Sequence, residues 1–316
     1  MYTFVTGGAG FIGSHLCRRL QAQGHPVLIF DNFDPYYDPA IKRGNIAGLT
    51  DNVTLIEGDL RDKVLIDQLF QQYPIRRVAH LGGLSGVRYS TENGALYAEV
   101  NTQGSVHLLD AARRHNVEIF VQISTSSVYG NTTRVPFNEE DAADHPLSPY
   151  PASKRAAEIF GHSYHHLFGL NVTVLRLFNV YGPNGRPDMM PIKTMQALLA
   201  DQPIQIYDDG LLKRDWTYVQ DVVDGITAAL DRPLGYGVFN LGYGSPVMLL
   251  DFIHIFEELT GKTAILNPVP APASEPRITY CDNARARAAL GFAPKVALPE
   301  GLRHTWEWFQ RQHLVR

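Results

Sequence analysis

The chain has 316 residues, of which 45% are hydrophobic and 19% are charged, as expected for a soluble globular protein with one large core or two smaller ones. Its net charge of −4 offers no basic surface, so we expect no nucleic-acid partner. Two cysteines are too few for a disulfide framework or a metal cluster, and we predict no metal site. The chain opens on a strand pattern instead of an export signal and has no membrane-spanning apolar run, which predicts a cytoplasmic protein.

The first part of the chain alternates short apolar runs with helical stretches. The runs are Tyr2–Thr6, Val27–Phe30, Val53–Ile56, Val78–Leu81, Ile119–Ile123 and Val172–Leu177. Such alternation is typical of βαβ units, in which helices cover both faces of a parallel sheet. We therefore predict an α/β fold with a doubly wound parallel sheet over residues 1–181.

The pattern changes beyond about Gly182, where loops rich in Pro and Gly separate shorter elements. Helices are predicted near Ile192–Ala200, Val222–Leu230, Leu249–Leu259, Ala284–Leu290 and Gly301–Phe309. The runs Pro203–Tyr207 and Val238–Leu241 could be strands that complete this second lobe. We interpret residues 182–316 as a smaller α/β lobe that binds substrate, with some strands and helices exchanged between the two lobes.

A glycine-rich turn, Gly7-Gly8-Ala9-Gly10-Phe11-Ile12-Gly13, follows the first predicted strand and opens a helix. Its glycines permit a tight turn and close approach of the backbone to a pyrophosphate, which the free helix amides can bind. A plain structural turn would look similar, but the place between strand and helix indicates dinucleotide binding. Asp31 ends the second strand, where a carboxylate can accept hydrogen bonds from an adenosine ribose and repel a 2′-phosphate, which favours NAD over NADP.

Further cofactor contacts are predicted at the carboxyl ends of the strands, where open α/β sheets bind their ligands. Asp59 follows the third strand, although it could instead cap the helix that begins after Arg61. The complete set of residues expected to bind NAD is Gly7, Gly10, Phe11, Ile12, Gly13, Asp31, Asn32, Asp59, Leu60, Leu81 and Lys154.

Tyr150 and Lys154 are four residues apart, and they share one helix face if the helix has begun by Tyr150. The lysine cation should lower the pKa of the phenol, so that Tyr150 can accept a proton from a sugar hydroxyl. Thr125, Ser126 and Ser127 end the fifth strand at the same edge of the sheet and can orient a substrate alcohol. A polar strand end whose hydroxyls cap local amides would have the same sequence.

These residues, taken in order, resemble the extended short-chain dehydrogenase/reductase superfamily, whose first domain is a Rossmann fold, and the resemblance covers nearly the whole chain. It continues through two segments similar to the nucleotide-sugar-binding segments of that group, Arg176–Pro183 and Lys213–Val219. The resemblance implies an NAD-dependent enzyme acting on a UDP-sugar. It also implies a homodimer formed through the helices predicted at Leu96–His115 and Ser153–Leu167.

Within this superfamily, segments 85–90 and 182–189 resemble the UDP-glucuronate 4-epimerases. The arginine of their Arg-Pro-Asp-Met stretch lies near the sugar carboxylate, which assigns that role to Arg186 unless it is a solvated loop residue. Arg214 and Arg277 are candidates to hold the phosphates. The complete set of residues expected to bind substrate is Ser126, Ser127, Asn179, Arg186, Tyr207, Arg214, Arg88 and Arg277.

The chain departs from the family pattern at three places. Gly82-Gly83 stands where alanines are usual, which should loosen the cofactor loop slightly. Segment 274–277, Ser-Glu-Pro-Arg, replaces the usual Gly-Asp, and Pro272 stands where many relatives carry a glutamine or arginine near the pyrophosphate. The last two changes leave the pyrophosphate contact from this loop open.

The resemblance implies epimerisation at C4 of a UDP-sugar, most simply UDP-glucuronate, through a 4-keto sugar. Tyr150 would take the 4-hydroxyl proton, Lys154 would hold the nicotinamide ribose, and Thr125 would bind the reacting oxygen. A neutral UDP-sugar 4-epimerase for UDP-glucose and UDP-galactose, or a UDP-uronate decarboxylase, remains an alternative. Ser126 and Ser127 replace the acid pair of sugar dehydratases, which argues against elimination, whereas an NAD-binding regulatory protein would be expected to have lost Tyr150 or Lys154.

Overall fold

The computed structural model describes residues 1–313. Its strands are β1 (Tyr2–Thr6), β2 (Val27–Asp31), β3 (Val53–Glu57), β4 (Ile75–His80), β5 (Ile119–Thr125), β6 (Val172–Leu177), β7 (Val180–Tyr181), β8 (Pro203–Tyr207), β9 (Lys213–Asp215), β10 (Thr217–Tyr218), β11 (Tyr236–Leu241), β12 (Pro246–Met248) and β13 (Ile265–Val269). Its α-helices are α1 (Phe11–Ala22), α2 (Pro39–Ile46), α3 (Lys63–Gln72), α4 (Val87–Ser90), α5 (Gly94–Tyr97), α6 (Gly104–Arg114), α7 (Pro149–Phe168), α8 (Met190–Leu199), α9 (Val219–Leu230), α10 (Leu249–Thr260), α11 (Ala284–Leu290) and α12 (Leu298–His313).

A seven-stranded parallel sheet forms the centre of the molecule, in the order β3-β2-β1-β4-β5-β6-β11. Neighbouring residues of each strand point to opposite faces, so Val5 and Ile29 join one core while Phe4 and Leu28 join the other. Helices α1 and α9 contribute to the first core, and α3 and α6 contribute to the second. The predicted α/β class with a doubly wound parallel sheet is confirmed.

Strand β11 belongs to this sheet, where it pairs with β6 from Tyr236 opposite Val172 to Leu241 opposite Leu177. The sequence-based placement of Val238–Leu241 in the second lobe is therefore wrong. An apolar run shows that a strand is buried but not which sheet buries it. Because α9 also packs on α1, the later half of the chain supplies an edge strand and a covering helix to the first lobe.

Helices α8, α10 and α12 contribute to a separate core, in which Trp216 stacks on Phe252 with ring centroids 4.4 Å apart. Three two-stranded sheets border this core: β7 with β10, β8 with β13, and β9 with β12. Some elements after residue 182 therefore pack in the first core of the central sheet, and others pack in this separate core. The predicted lobe boundary at residue 182 stays a prediction. Within residues 1–313, no helix combines the length and the apolar character that a bilayer crossing requires.

Candidate active site

The glycine turn packs too tightly for side chains. Gly7 has a φ of +67°, and a Cβ on it would lie 2.8 Å from Cα of Gly82. A Cβ on Gly13 would overlap the carbonyl oxygen of Gly7, so strand and helix approach as closely as backbone allows. Gly10 caps α1 without a side-chain hydrogen bond, which leaves the first amides of the helix free for an anion. The turn therefore fits a dinucleotide pyrophosphate.

Asp31, at the end of β2, holds this turn in place. Its buried carboxylate accepts hydrogen bonds from the amides of Ala9, at 3.2 Å, and Phe33, at 2.9 Å. Lys42, from α2, forms an ion pair with it at 3.2 Å. The sequence analysis missed Lys42, which brings a positive charge to the predicted ribose site and offsets the repulsion that Asp31 alone would exert on a 2′-phosphate.

Asp59 lies beside the same end of the cleft. Arg61 donates to both of its oxygens, at 2.9 and 2.8 Å, and Asn32 donates to one at 3.2 Å. The hydrogen bonds from Arg61 are the main cause that lowers the pKa of Asp59 to about 2. Asp62 caps α3 by accepting from the amide of Leu65, so the alternative of Asp59 as the helix cap is wrong.

The loop after β4 is fixed by Asn101. One π-helical turn, Ala98–Gln103, interrupts the helical run between α5 and α6 and carries this side chain. Asn101 accepts from the Leu84 amide at 2.7 Å and donates to the Leu84 carbonyl at 2.9 Å and to the Ser153 hydroxyl at 3.0 Å. It thereby joins the cofactor loop to α7, next to Lys154. A π turn leaves no clear mark in the sequence, and Asn101 was missed.

Gly82 and Gly83 are packed in this loop, contrary to the expectation that they loosen it. A Cβ on Gly82 would lie 2.9 Å from the hydroxyl oxygen of Thr6, which accepts from the Gly82 amide at 3.0 Å. Gly83 has a φ of +150°, and a Cβ there would lie 2.7 Å from the side-chain oxygen of Asn101. Both positions therefore require glycine in this chain, because the side chains of Thr6 and Asn101 lie too close for a Cβ.

Helix α7 begins at Pro149, so Tyr150 lies in its first turn and shares a face with Lys154, as predicted. Lys154 is only 6% exposed. Burial lowers the pKa of its ammonium to about 8, although Glu158, one turn further along α7, acts in the opposite direction. The Lys154 nitrogen lies on the cofactor side, 4.0 Å from where a Cβ on Gly83 would be.

The pKa of Tyr150 is raised, because burial disfavours the phenolate. A hydrogen bond with Thr125 and the positive charge of Arg186 act in the opposite direction. The prediction that Lys154 lowers the pKa of Tyr150 is wrong: its ammonium lies toward the cofactor loop, and the cation that acts on the phenol is Arg186.

The hydroxyl run at the end of β5 forms a local cap and also lies in the cleft. Thr125 accepts from the Ser127 amide at 3.2 Å and caps a 3-10 turn, Ser126–Tyr129. Thr125, Ser126 and Ser127 also line the cleft beside Tyr150. A local cap therefore holds these hydroxyls where a substrate can reach them.

Arg186 also lines the cleft and is not a solvated loop residue. Its Nε donates to Oδ1 of Asp188 at 2.9 Å, and its Nη2 donates to Oδ2 at 3.0 Å. The hydroxyl of Tyr36, from the segment after β2, donates to Oδ2 of Asp188 at 3.1 Å. The sequence analysis named Arg186 but neither of these partners.

The far end of the cleft carries two arginines and one carboxylate. Nη2 of Arg214, which is buried, donates to Oε2 of Glu275 at 3.0 Å. Arg88 lies 3.8 Å from the other oxygen of Glu275 and stacks over the ring of Tyr207 at 4.9 Å. Arg277 is exposed and does not line the cleft, so its predicted phosphate role has no support in the structure.

One cleft of about 1090 Å³ joins the glycine turn, the surroundings of Tyr150 and the arginines beside Glu275. Its lining includes every residue predicted for catalysis, cofactor or substrate except Arg277, namely Gly7, Gly10, Phe11, Ile12, Gly13, Asp31, Asn32, Asp59, Leu60, Leu81, Arg88, Thr125, Ser126, Ser127, Tyr150, Lys154, Asn179, Arg186, Tyr207 and Arg214. Asn179 accepts there from the hydroxyl of Thr279 at 2.8 Å. The lining residues that the sequence analysis missed include Tyr36, Lys42, Arg61, Asp188 and Trp216.

Comparison with known families agrees with this geometry. The model of the NAD dependent epimerase/dehydratase family matches residues 3–242. The chain belongs to this family. The cofactor of this family, NAD, fits the glycine turn and Asp31 at one end of the cleft. NAD is thus the cofactor.

Individual members of the NAD dependent epimerase/dehydratase family match over nearly their whole length. A UDP-glucuronate 4-epimerase of Thermodesulfobacterium geofontis is 37% identical over 310 residues, covering 97% of this chain and 95% of that protein. The structure of UDP-glucuronic acid 4-epimerase from Bacillus cereus, in complex with UDP-glucuronic acid and NAD, gives a TM-score of 0.93 at 34% identity and covers 99% of this chain and 100% of that one. The UDP-glucose 4-epimerase of Thermotoga maritima gives 0.90 at 31% identity, with 99% of each chain covered.

Proposed function

We propose that the protein catalyses the NAD-dependent epimerisation of UDP-glucuronate at C4, giving UDP-galacturonate. The observation that carries this proposal is Arg186, which lines the cleft near Tyr150 and is held by the two hydrogen bonds that it donates to Asp188. A guanidinium beside the reacting hydroxyl suits a sugar that bears a carboxylate. The relatives named for UDP-glucuronate support the same substrate.

Tyr150, Thr125 and Lys154 have different roles in the proposed reaction. In the complete site Tyr150 acts as its phenolate and accepts the proton of the sugar 4-hydroxyl, and Thr125 hydrogen-bonds the same oxygen. Lys154 donates to the hydroxyls of the nicotinamide ribose. Bound NAD would supply hydride transfer at C4, with removal of the hydride and its return to the opposite face of the 4-keto sugar, so the reaction is redox-neutral.

Burial keeps Tyr150 protonated in the protein alone, because its pKa is raised. Thr125 and Arg186 already favour the phenolate, and a positively charged nicotinamide ring nearby acts in the same direction. We therefore expect Tyr150 to become an effective base only in the complete site. This dependence protects the phenol from ionising before both ligands are present.

Arg214 and Arg88 are placed to bind the pyrophosphate at the other end of the cleft. They approach Glu275 from two sides, so cationic groups converge there although Pro272 supplies none. Arginines of this kind bind phosphate oxygens through paired N–H groups. They hold the nucleotide while the sugar ring turns over beside Tyr150.

A neutral-sugar 4-epimerase is the second candidate, because the Thermotoga maritima UDP-glucose 4-epimerase has the same fold. The deciding experiment is incubation of the purified protein with UDP-glucuronate or UDP-glucose, with proton NMR of the products. We expect UDP-galacturonate from UDP-glucuronate at a kcat/KM well above that for UDP-glucose. Equal or better turnover of UDP-glucose would favour the neutral-sugar reaction, and a UDP-pentose as main product would favour a decarboxylase.

We also propose that the protein is a cytoplasmic homodimer. Support for the dimer comes from the outer face of α7, which exposes Ile159 (53%), Phe160 (41%), Leu167 (68%) and Phe168 (49%). Large apolar side chains exposed along one helix favour association. Light scattering after size-exclusion chromatography should give twice the chain mass, and Leu167→Glu should shift it toward the monomer. A wild-type monomer would contradict this proposal.

A further inference from the structure

Arg186 is held by a small cluster that brings together three separate segments of the chain. Its partner Asp188 is two residues away, and Pro187 between them restricts the backbone. The Tyr36 hydroxyl reaches Asp188 from the segment after β2. Tyr36 is in turn packed against Tyr89, with ring centroids 5.3 Å apart. The cluster therefore fixes Asp188 from both sides.

The hydrogen bonds within the cluster use only one side of the guanidinium. Asp188 accepts hydrogen bonds from Nε and from one N–H of Nη2. The other N–H of Nη2 and both N–H groups of Nη1 remain as donors. Within residues 1–313, no hydrogen bond engages Nη1. Two of these three N–H groups, one on Nη1 and one on Nη2, form the second fork of the side chain, which can bind another carboxylate with two parallel bonds. The arginine is thus both paired and still able to bind.

We propose that Asp188, braced by Tyr36, is a positioning residue that sets the preference for uronate sugars by directing the free fork of Arg186 at the sugar carboxylate. This inference rests on the proposed function of Arg186. Side chains of Arg186 and Asp188 are 23% and 30% exposed, so an unbraced arginine would have room to swing toward solvent. Holding it in one rotamer removes an entropic cost from substrate binding.

Asp188 could instead compete with the substrate, because it is itself a carboxylate bound to Arg186. The two roles predict opposite signs. If Asp188 positions Arg186, its loss weakens binding of UDP-glucuronate relative to UDP-glucose. If Asp188 competes, its loss strengthens that preference, because Arg186 would lack a counter-charge in the free protein.

The test measures the dissociation constants of the NAD-loaded protein for UDP-glucuronate, UDP-glucose and UDP by calorimetry. We expect Asp188→Asn to raise the dissociation constant for UDP-glucuronate by about 10-fold, the equivalent of one charge-assisted hydrogen bond. The dissociation constants for UDP-glucose and UDP should stay within about 2-fold of the wild-type values. Tyr36→Phe keeps all charges and removes only the brace, so it should act in the same direction by about 3-fold. It also covers the case in which Asp188→Asn fails to fold.

Glu275→Gln is the matched control, because it removes the carboxylate paired with an arginine at the phosphate end of the cleft. We expect this variant to change the dissociation constants of all three ligands by the same factor. A ratio of UDP-glucuronate to UDP-glucose affinity that stays constant or rises in Asp188→Asn and Tyr36→Phe would overturn the inference. Failure of the proposed function has a different result: the wild-type protein would show no preference for UDP-glucuronate, and Arg186→Leu would leave the ratio unchanged.

Discussion

Replacement of Arg186 by leucine is the sharpest perturbation of the proposed reaction. Leucine fills part of the same space but donates no hydrogen bond, and it leaves Asp188 with Tyr36 as its remaining side-chain donor. The free fork of Arg186 can give two charge-assisted bonds, each worth about 1.5 kcal/mol at the low end, so about 3 kcal/mol is lost. At 1.4 kcal/mol per factor of ten, kcat/KM for UDP-glucuronate should fall roughly 100-fold.

Turnover of UDP-glucose should be spared or improved in Arg186→Leu, because that sugar has no carboxylate. Parallel assays by proton NMR or chromatography of the products, with both sugars at concentrations far below KM, give the two kcat/KM values directly. A UDP-pentose could also appear, since a 4-keto uronate whose carboxylate is free to rotate can lose carbon dioxide. An equal fall for both substrates would refute the reasoning and make Arg186 a structural or pyrophosphate residue.

Three further predictions concern the proton acceptor, the lysine and the cofactor preference. Tyr150→Phe should keep the fold and NAD binding but lose turnover, because the ring packs alike without its hydroxyl; activity within a few-fold of wild type would contradict its role. Lys154 has a pKa lowered to about 8, so the protonated form that holds the ribose is lost as pH rises through that value, and NAD affinity should decline above about pH 8. A fluorescence titration between about pH 6.5 and 9.5 checks this, and a flat profile in wild type would count against it. Asp31→Ala should weaken NAD more than NADP, because it removes a ribose acceptor and leaves Lys42 unpaired for a 2′-phosphate; an unchanged ratio of the two dissociation constants argues against both contacts.

The sequence predicted those parts of the site that depend on local backbone pattern. The glycine turn, the end of β2 and the first turn of α7 are each encoded within a few residues, so strand and helix periodicity placed Gly13, Asp31 and Tyr150 correctly. Their common position at the carboxyl ends of parallel strands then follows from the fold class. The cleft lining agrees with this for all three.

The parts that sequence reasoning missed are contacts between distant segments. Tyr36 reaches Asp188 across 152 positions of the chain, and Lys42 reaches Asp31 from the following helix. Neither pair has a characteristic spacing. The pKa of Tyr150 was misjudged for a related reason: sequence spacing placed Lys154 near the phenol, but the direction in which a long side chain points depends on the loop packed against it.

The route of the chain through the central sheet bears on how the protein can be made and divided. Residues up to Leu177 contain six of the seven strands, yet the sheet is completed only when β11 and α9 have been synthesised. A nascent chain stopped at residue 181 would expose β6 as an unpaired edge and leave the apolar surface of α1 without α9. We therefore expect that residues 1–181, the predicted cofactor-binding lobe, cannot be cut out at residue 181 and used as an independent domain. On the ribosome, the edge of β6 stays unpaired until synthesis has passed Leu241, where β11 ends.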